Sequence, residues 1–384
     1  MATIYLDNYG CTANYDNGNI IAGLILEAGH EISSDIEEAD VVIINSCAVK
    51  NVTVNKIFSR IENTKNNFQD KKLIITGCMP VAEKDKLEKY LKKGVALIST
   101  QNITEIPETV NKVMNNEQIV LTNKRKEIKL GLPKLNQDKI ASVQIAEGCK
   151  SFCAFCSTKL AKGDLVSYPK EKIVEEVKKY VSLGYKKINL TSTDNACYGF
   201  DLGYNLVDLL KEVVQIEGDY QVRVGMGNPE HTRKYLNELI EIYKNPKIQK
   251  FVHLPVQSGS NKVLKDMKRK YTIEEFEDII NKFRKVHPGI TISTDIIVGY
   301  PTETEENFKE TLNLVKKLKF EVINISKFAS RPRTLASKIK QLPSQIIKQR
   351  SVELTKIYKE TRSQISEYKT QNFNSNTKLV VINE

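Results

Sequence analysis

A chain of 384 residues with 40% hydrophobic and 27% charged side chains has the composition of a globular protein and is too long for one ordinary core. Its formal net charge of +11 favours a polyanionic partner, although a lysine-rich surface with no target gives the same figure. No apolar run reaches membrane-spanning length, and MATIYLDNYG lacks the basic and apolar regions of a signal peptide, so the expected location is the cytoplasm. That compartment keeps thiols reduced, and seven cysteines there point to metal ligation or catalysis before disulfides.

In chain order, TIYL (3–6), VVIIN (41–45), KLIIT (72–76) and VALI (95–98) read as strands, with helical periods at 17–28, 51–63, 81–93 and 103–115 between and after them. This alternation predicts an α/β domain over 1–120 built on an open parallel sheet with crossover helices. The basic, Gly- and Pro-punctuated stretch 121–139 reads as a linker. Over 140–345, six strands follow: ASVQIAEG, KINLTST, YQVRVGM, KFVHLPV, ITISTDIIVG and EVINISKF. Six βα units suit a partial (β/α)6 barrel better than an eightfold one. The segment 346–384 opens with a long helical pattern and ends near KLVVI, a single strand that cannot form a domain alone.

Cys11, Cys47 and Cys78 each stand just past the carboxyl end of a predicted strand. In an open parallel sheet those ends share one edge, where ligands bind. One such cysteine alone is readily a small buried hydrophobe; three in the same topological position predict a shared site. Gly10 and Gly77 precede two of them and allow tight turns. A second triad, Cys149, Cys153 and Cys156, lies in GCKSFCAFC after a barrel strand. Three thiolates on a 4Fe-4S cluster leave one iron open to an outside ligand. A zinc site would need a fourth ligand, for which His253 is the candidate. Cys197 reads as a structural thiol.

CKSFCAFC resembles the radical S-adenosylmethionine (SAM) signature. NYGCTANY, VVIINSCAV, TGCMP, SYPKEKIVEEV, LPVQSGSNKVLKDMKRKYT, TDIIVGYPTETEENF and KFASRPRTLASKIKQLP are similar to segments of the methylthiotransferase family, from residue 3 to about 360. YGCTAN and the basic composition are most like the archaeal and eukaryotic branch, which acts on N6-threonylcarbamoyladenosine beside the anticodon of tRNA. The resemblance implies two 4Fe-4S clusters, one on each triad, with SAM at the open iron of the second and sulfur at that of the first. It implies as partners the tRNA anticodon loop, an electron donor and a sulfur source, and no membrane.

By family position, Phe155, Thr193, Asp194, Gln257, Ser258, Arg269 and Asp295 are the expected SAM contacts. Each is also readable as a cap or turn residue, and Arg269 as an exposed helix residue. Thr193 departs from the family pattern, where a longer polar residue is common. Gly299 and Pro301 are expected to shape a turn. Family members usually end in a TRAM β-barrel, expected here to be absent or truncated, which leaves tRNA binding to basic segments such as NKRKEIK and KDMKRK. The alternatives are a methylthiotransferase acting on isopentenyladenosine in tRNA or on a ribosomal protein, a catalytically inert tRNA-binding homologue, and a zinc-stabilised module.

Overall fold

Every residue of Val41–Ser46 is buried, so the continuous apolar run VVII (41–44) marks a strand covered on both faces. Val42 and Ile44 enter one apolar cluster with Ile57, Ile75 and Met79; Val41 and Ile43 enter another with Ile4, Ile20, Ile74 and Ile98. Each such side chain contributes about 1.5–3 kcal/mol on burial. The alternation of one strand between two clusters is what a sheet sandwiched by helices requires.

The structure is a computed structural model that describes residues 1–135 and 140–372, with the side chains of the last helix followed to residue 364. KLVVI lies outside the described residues. The chain forms two compact units: Met1–Lys150 with Cys156–Thr193 and Arg331–Arg333, and Ser151–Phe155 with Asp194–Ser330 and the chain from Thr334 onward.

In the first unit, β1 (Thr3–Asn8), β2 (Glu31–Ser33), β3 (Val41–Ser46), β4 (Lys72–Gly77), β5 (Val95–Ser99) and β6 (Ile119–Leu121) form a six-stranded sheet in the order β2-β1-β3-β4-β5-β6. All its pairings are parallel. The unit also holds β7 (Ile140–Gln144), antiparallel partners β8 (Ala146–Glu147) and β9 (Val166–Ser167), and β10 (Lys187–Thr191), which pairs in parallel with β7. The second unit contains β11 (Gln221–Val224) and a parallel sheet of β12 (Phe251–His253), β13 (Thr291–Val298) and β14 (Val322–Lys327). Thr272 and Glu275 close a capping box on the helix Ile273–Val286, which buries Phe276, Ile279, Ile280 and Phe283 at helical spacing.

Several elements differ from the expectation. β2 and β6 are short edge strands with little apolar signal. The first helix begins at Thr12 rather than 17, through the poor helix formers Asn14, Asp16, Asn17 and Gly18, all buried. A Cβ at Gly18 would lie 2.1 Å from the Asn8 Oδ1, so packing overrides propensity there. The helix expected over 81–93 is broken into Met79–Ala82, Lys84–Leu87 and a 3-10 turn Glu88–Tyr90, because the backbone leaves helical geometry at Glu83 (φ −119°, ψ 30°). Pro107 near the start of Ile106–Met114 sets that helix later than expected, with a 3-10 segment, Thr100–Glu105, before it.

The described part of the basic stretch, residues 121–135, is pinned within the first unit. Lys129 Nζ lies 2.7 Å from Glu147 Oε1, and Lys134 Nζ lies 3.1 Å from Asp16 Oδ1 and 3.5 Å from Glu176 Oε1, all buried. Arg125 pairs with Glu105. Of the basic residues in NKRKEIK, Lys129 is therefore withdrawn from any surface role.

Candidate metal centres

The order β2-β1-β3 reverses its winding between β1 and β3, and such a switch point opens a crevice beyond the carboxyl ends of the strands. Cys11 follows β1 after Tyr9 and Gly10, Cys47 follows β3 directly, and Cys78 follows β4. Two of the three cysteines thus flank the switch point and the third stands on the next strand.

Backbone contacts draw their loops together. Gly10 has φ +120°, and a Cβ there would lie 2.6 Å from the Cys47 Cβ and 2.9 Å from its Sγ. Gly77 has φ +94°, and a Cβ there would lie 2.2 Å from the Ser46 carbonyl oxygen. The Cys78 amide donates to that carbonyl at 2.9 Å, and the Met79 amide donates to Ser46 Oγ at 3.2 Å. Ser46, the last residue of β3, ties the Cys47 loop to the Cys78 loop. Asn14 Nδ2 donates to Tyr9 O at 2.5 Å and closes the Cys11 loop from the helix side.

Cys47 and Cys78 are buried and Cys11 is exposed. Burial, reinforced by Cys11, pushes the Cys47 thiol up; burial pushes Cys78 up to about 12, with Lys162 acting against it. Two buried cations stand by. Burial opposes the Lys162 ammonium, yet Glu147 and the three cysteines hold its pKa above the ordinary lysine value. Burial lowers the Arg331 guanidinium, against the pull of Glu83 and Cys47. Three thiols on closely packed neighbouring loops, with cations at hand, fit a cluster whose bound form is anionic.

The second cysteine motif crosses the unit boundary: Cys149 and Cys156 belong to the first unit and Cys153 and Phe155 to the second. Gly148 has φ +70°, and a Cβ there would lie 1.9 Å from the Asp164 carbonyl oxygen, so only glycine admits this turn before Cys149. The Cys149 amide donates to Gly163 O at 3.3 Å, its carbonyl accepts from Lys159 Nζ, and Cys156 caps the helix Ser157–Lys162. In the second unit Arg269 Nη1 donates to Cys153 Sγ at 3.4 Å. A cysteine sulfur that accepts from a guanidinium fits a metal ligand, since ligation needs the deprotonated sulfur and a neighbouring cation favours that form.

The remaining expected contacts divide. Arg269 lies between helices and is half-buried rather than on an exposed helix face; besides Cys153 it donates to Pro255 O at 3.1 Å and to Tyr271 Oη at 3.1 Å. Asp194 caps the 3-10 turn Asn195–Cys197: one carboxylate oxygen accepts from the Ala196 and Asn228 amides and the other meets His231 Nδ1 at 2.7 Å. Ser258 is fully buried and its Oγ accepts from the Ser260 amide, a turn role. Gln257 has φ +69°, a strained value for a side-chain-bearing residue, while its amide donates to Asp295 O at 2.8 Å. Asp295 Oδ1 accepts from His253 Nε2 at 2.9 Å and Asn324 Nδ2 at 2.8 Å. His253 is thereby committed to a carboxylate. Thr193 belongs to the first unit, and its buried hydroxyl has no hydrogen bond. Phe155 packs against the cluster of Val263, Met267, Tyr300 and Phe328. Cys197 is buried, and its thiol donates to Asp194 O at 3.3 Å. Gly299 turns at φ +77° and its amide donates to Glu303 Oε2 at 2.7 Å.

Sequence reasoning passed over Lys162, Arg331, His231 and Asn228. Asn228 before Pro229 is a readable helix start, with its side chain accepting from the Glu230 amide. Lys162 and Arg331 carry no local pattern that separates a buried cation from a surface one.

Comparison with known proteins places this architecture in a class. Residues 143–315 match the model of the Radical SAM superfamily and residues 3–99 that of the Uncharacterized protein family UPF0004. The structure of the radical S-adenosylmethionine methyltransferase TsrM from Kitasatospora setae shares the fold at a TM-score of 0.64 and 12% identity, over 87% of this chain and 73% of that one. The chain is an α/β protein with an N-terminal parallel sheet followed by the partial barrel of the radical SAM fold.

The particular family follows from two relatives. The probable threonylcarbamoyladenosine tRNA methylthiotransferase of Pyrococcus horikoshii is 43% identical over 355 residues, 91% of this chain and 82% of its own. The human threonylcarbamoyladenosine tRNA methylthiotransferase is 35% identical over 92% of this chain and 62% of its own. The chain belongs to the threonylcarbamoyladenosine tRNA methylthiotransferase family. Among the described residues no helix is long and apolar enough to cross a membrane.

Proposed function

We infer that this chain is a radical SAM tRNA methylthiotransferase that converts N6-threonylcarbamoyladenosine next to the anticodon into its 2-methylthio derivative. The observation that carries the reading is the convergence of Cys11, Cys47 and Cys78 at the switch point of a domain that precedes a separate CxxxCxxC motif. Cys11, Cys47 and Cys78 would hold one 4Fe-4S cluster, and Cys149, Cys153 and Cys156 the other. When bound, the clusters and SAM supply the electron, the hydrogen-abstracting radical and the sulfur.

The protein supplies position and electrostatics. Ser46 sets the spacing of two ligand loops, and Arg269 favours the thiolate of Cys153. Gln257, with its strained backbone beside Asp295, and the hydrogen-bonded set of His253 at the end of β12, Asp295 within β13 and Asn324 within β14 are the polar groups we assign to orienting SAM. Asp194 and Ser258 also hold the surrounding turns through hydrogen bonds to backbone amides. An anticodon-loop adenosine is open to enzymes without melting a duplex. The enzyme works in the cytoplasm with an electron donor and a sulfur source.

Two measurements test this. Anaerobically reconstituted protein is expected to hold about eight irons per chain, falling to about four when Cys149, Cys153 and Cys156 become Ala. Nucleosides from tRNA of cells with and without the gene, read by mass spectrometry, are expected to differ in threonylcarbamoyladenosine and its methylthio product. An unchanged pool would overturn the substrate assignment, and a change in isopentenyladenosine instead would move it to the sister activity.

A further inference from the structure

Cys156 caps the helix Ser157–Lys162, so the last cysteine of the second motif and Lys162 stand at the two ends of one short helix. Six helical residues rise about 9 Å. The helix is clamped onto the loops of the first triad. Ser157 Oγ donates to Ala48 O at 3.0 Å, next to Cys47, and Gln101 Nε2 donates to Lys162 O at 3.0 Å. Ala161 sits in the apolar cluster that contains Cys78, Ala48 and Met79.

Lys162 is only 4% exposed, and its carboxylate neighbour Glu147 lies 3.9 Å away. That carboxylate is already taken at 2.7 Å by Lys129, so the protein's own anion is shared between two buried ammonium groups. Arg331, the other cation near Cys47, is turned toward Val49 O at 2.8 Å, Asn51 Oδ1 at 3.3 Å and Glu83 Oε1 at 3.8 Å. A buried ammonium so incompletely answered is costly unless another anion faces it.

We propose that Lys162 is a positioning residue for the cluster on Cys11, Cys47 and Cys78: its ammonium offsets the negative charge there and raises that cluster's reduction potential. Net charge around a cluster is one of the levers that set its potential. The proposal rests on the reading that this triad carries a cluster.

The test uses the full chain with Cys149→Ala, Cys153→Ala and Cys156→Ala, so that only the N-terminal cluster remains, and compares Lys162, Lys162→Arg and Lys162→Met. A redox titration followed by electron paramagnetic resonance reads the reduced to oxidised ratio at fixed potential. Lys162→Met is expected to lower that ratio at least tenfold, about 59 mV for a one-electron couple, with Lys162→Arg within a few-fold of the parent. A Met variant that fails to assemble while the Arg variant assembles also supports a requirement for charge. An assembled Met variant with unchanged potential overturns the proposal, as does failure of both variants to assemble, which would make shape decisive. Absence of iron in the parent itself would instead defeat the cluster reading.

Discussion

Gly10 backs directly onto Cys47: a Cβ at residue 10 would stand 2.6 Å from the Cys47 Cβ and 2.9 Å from its sulfur. The φ of +120° at Gly10 adds a second barrier to any side chain. Gly10→Ala therefore has to displace either the Cys11 turn or the Cys47 side chain. We expect it to cost on the order of 1–3 kcal/mol in backbone strain and to lower reconstituted iron from about eight to about four per chain. Iron analysis with urea denaturation checks both; full iron content would mean that the two loops are not interdependent.

Arg269 gives three hydrogen bonds from a half-buried position, one of them to a cysteine sulfur. Charge-assisted bonds of this kind contribute about 1.5–3 kcal/mol. Arg269→Gln should reduce 5′-deoxyadenosine formation by roughly tenfold to a hundredfold and loosen iron at the second motif. Unchanged turnover would show that Cys153 needs no guanidinium.

Lys129 and Glu147 form a buried pair at 2.7 Å. Lys129→Met leaves a buried carboxylate with only the more distant Lys162 and should destabilise the first unit by about 3–5 kcal/mol. Adding Glu147→Gln should return part of that loss, measurable as a positive coupling in urea denaturation. Purely additive effects would mean that the pair is not coupled in solution.

His30 is buried, and its Nδ1 accepts from the Ala2 amide at 3.2 Å at the start of β1. Burial holds its pKa below the ordinary value. A depressed histidine binds fewer protons folded than unfolded, so its contribution is complete above the unfolded pKa of about 6.5 and is lost as pH falls through the lower folded value. The melting temperature of the parent should therefore fall more steeply below about pH 6.5 than that of His30→Asn. Parallel curves would exclude this histidine as the source.

Much of the fold was legible where one physical rule dominated. β-branched runs gave β1, β3, β4, β5, β7 and β10 to β14 but not the two-residue strands β8 and β9, and Gly10 and Gly77 marked turns that admit no Cβ. The long helix expected over 81–93 was misread because apolar spacing says nothing about Glu83, whose buried carboxylate lies 2.8 Å from Lys86 Nζ and 3.8 Å from Arg331 Nη1, hundreds of residues away in sequence. Asp194 and Ser258 are readable in sequence as ligands or caps alike, and the structure gives both of them hydrogen bonds to turn amides.

By itself the sequence determined that Cys11, Cys47 and Cys78 each stand past a strand and that Cys149, Cys153 and Cys156 are close neighbours in one stretch, because spacing and β-propensity are local properties. Only the tertiary structure decided that Cys11 and Cys47 flank the switch between β1 and β3, that Lys129, Lys134 and Lys162 are interior rather than surface charges, and that Arg269 faces a sulfur. The reason is physical. A lysine reads the same in sequence whether it meets water or a buried carboxylate, and the difference lies in desolvation and Coulomb energy set by residues distant in the chain.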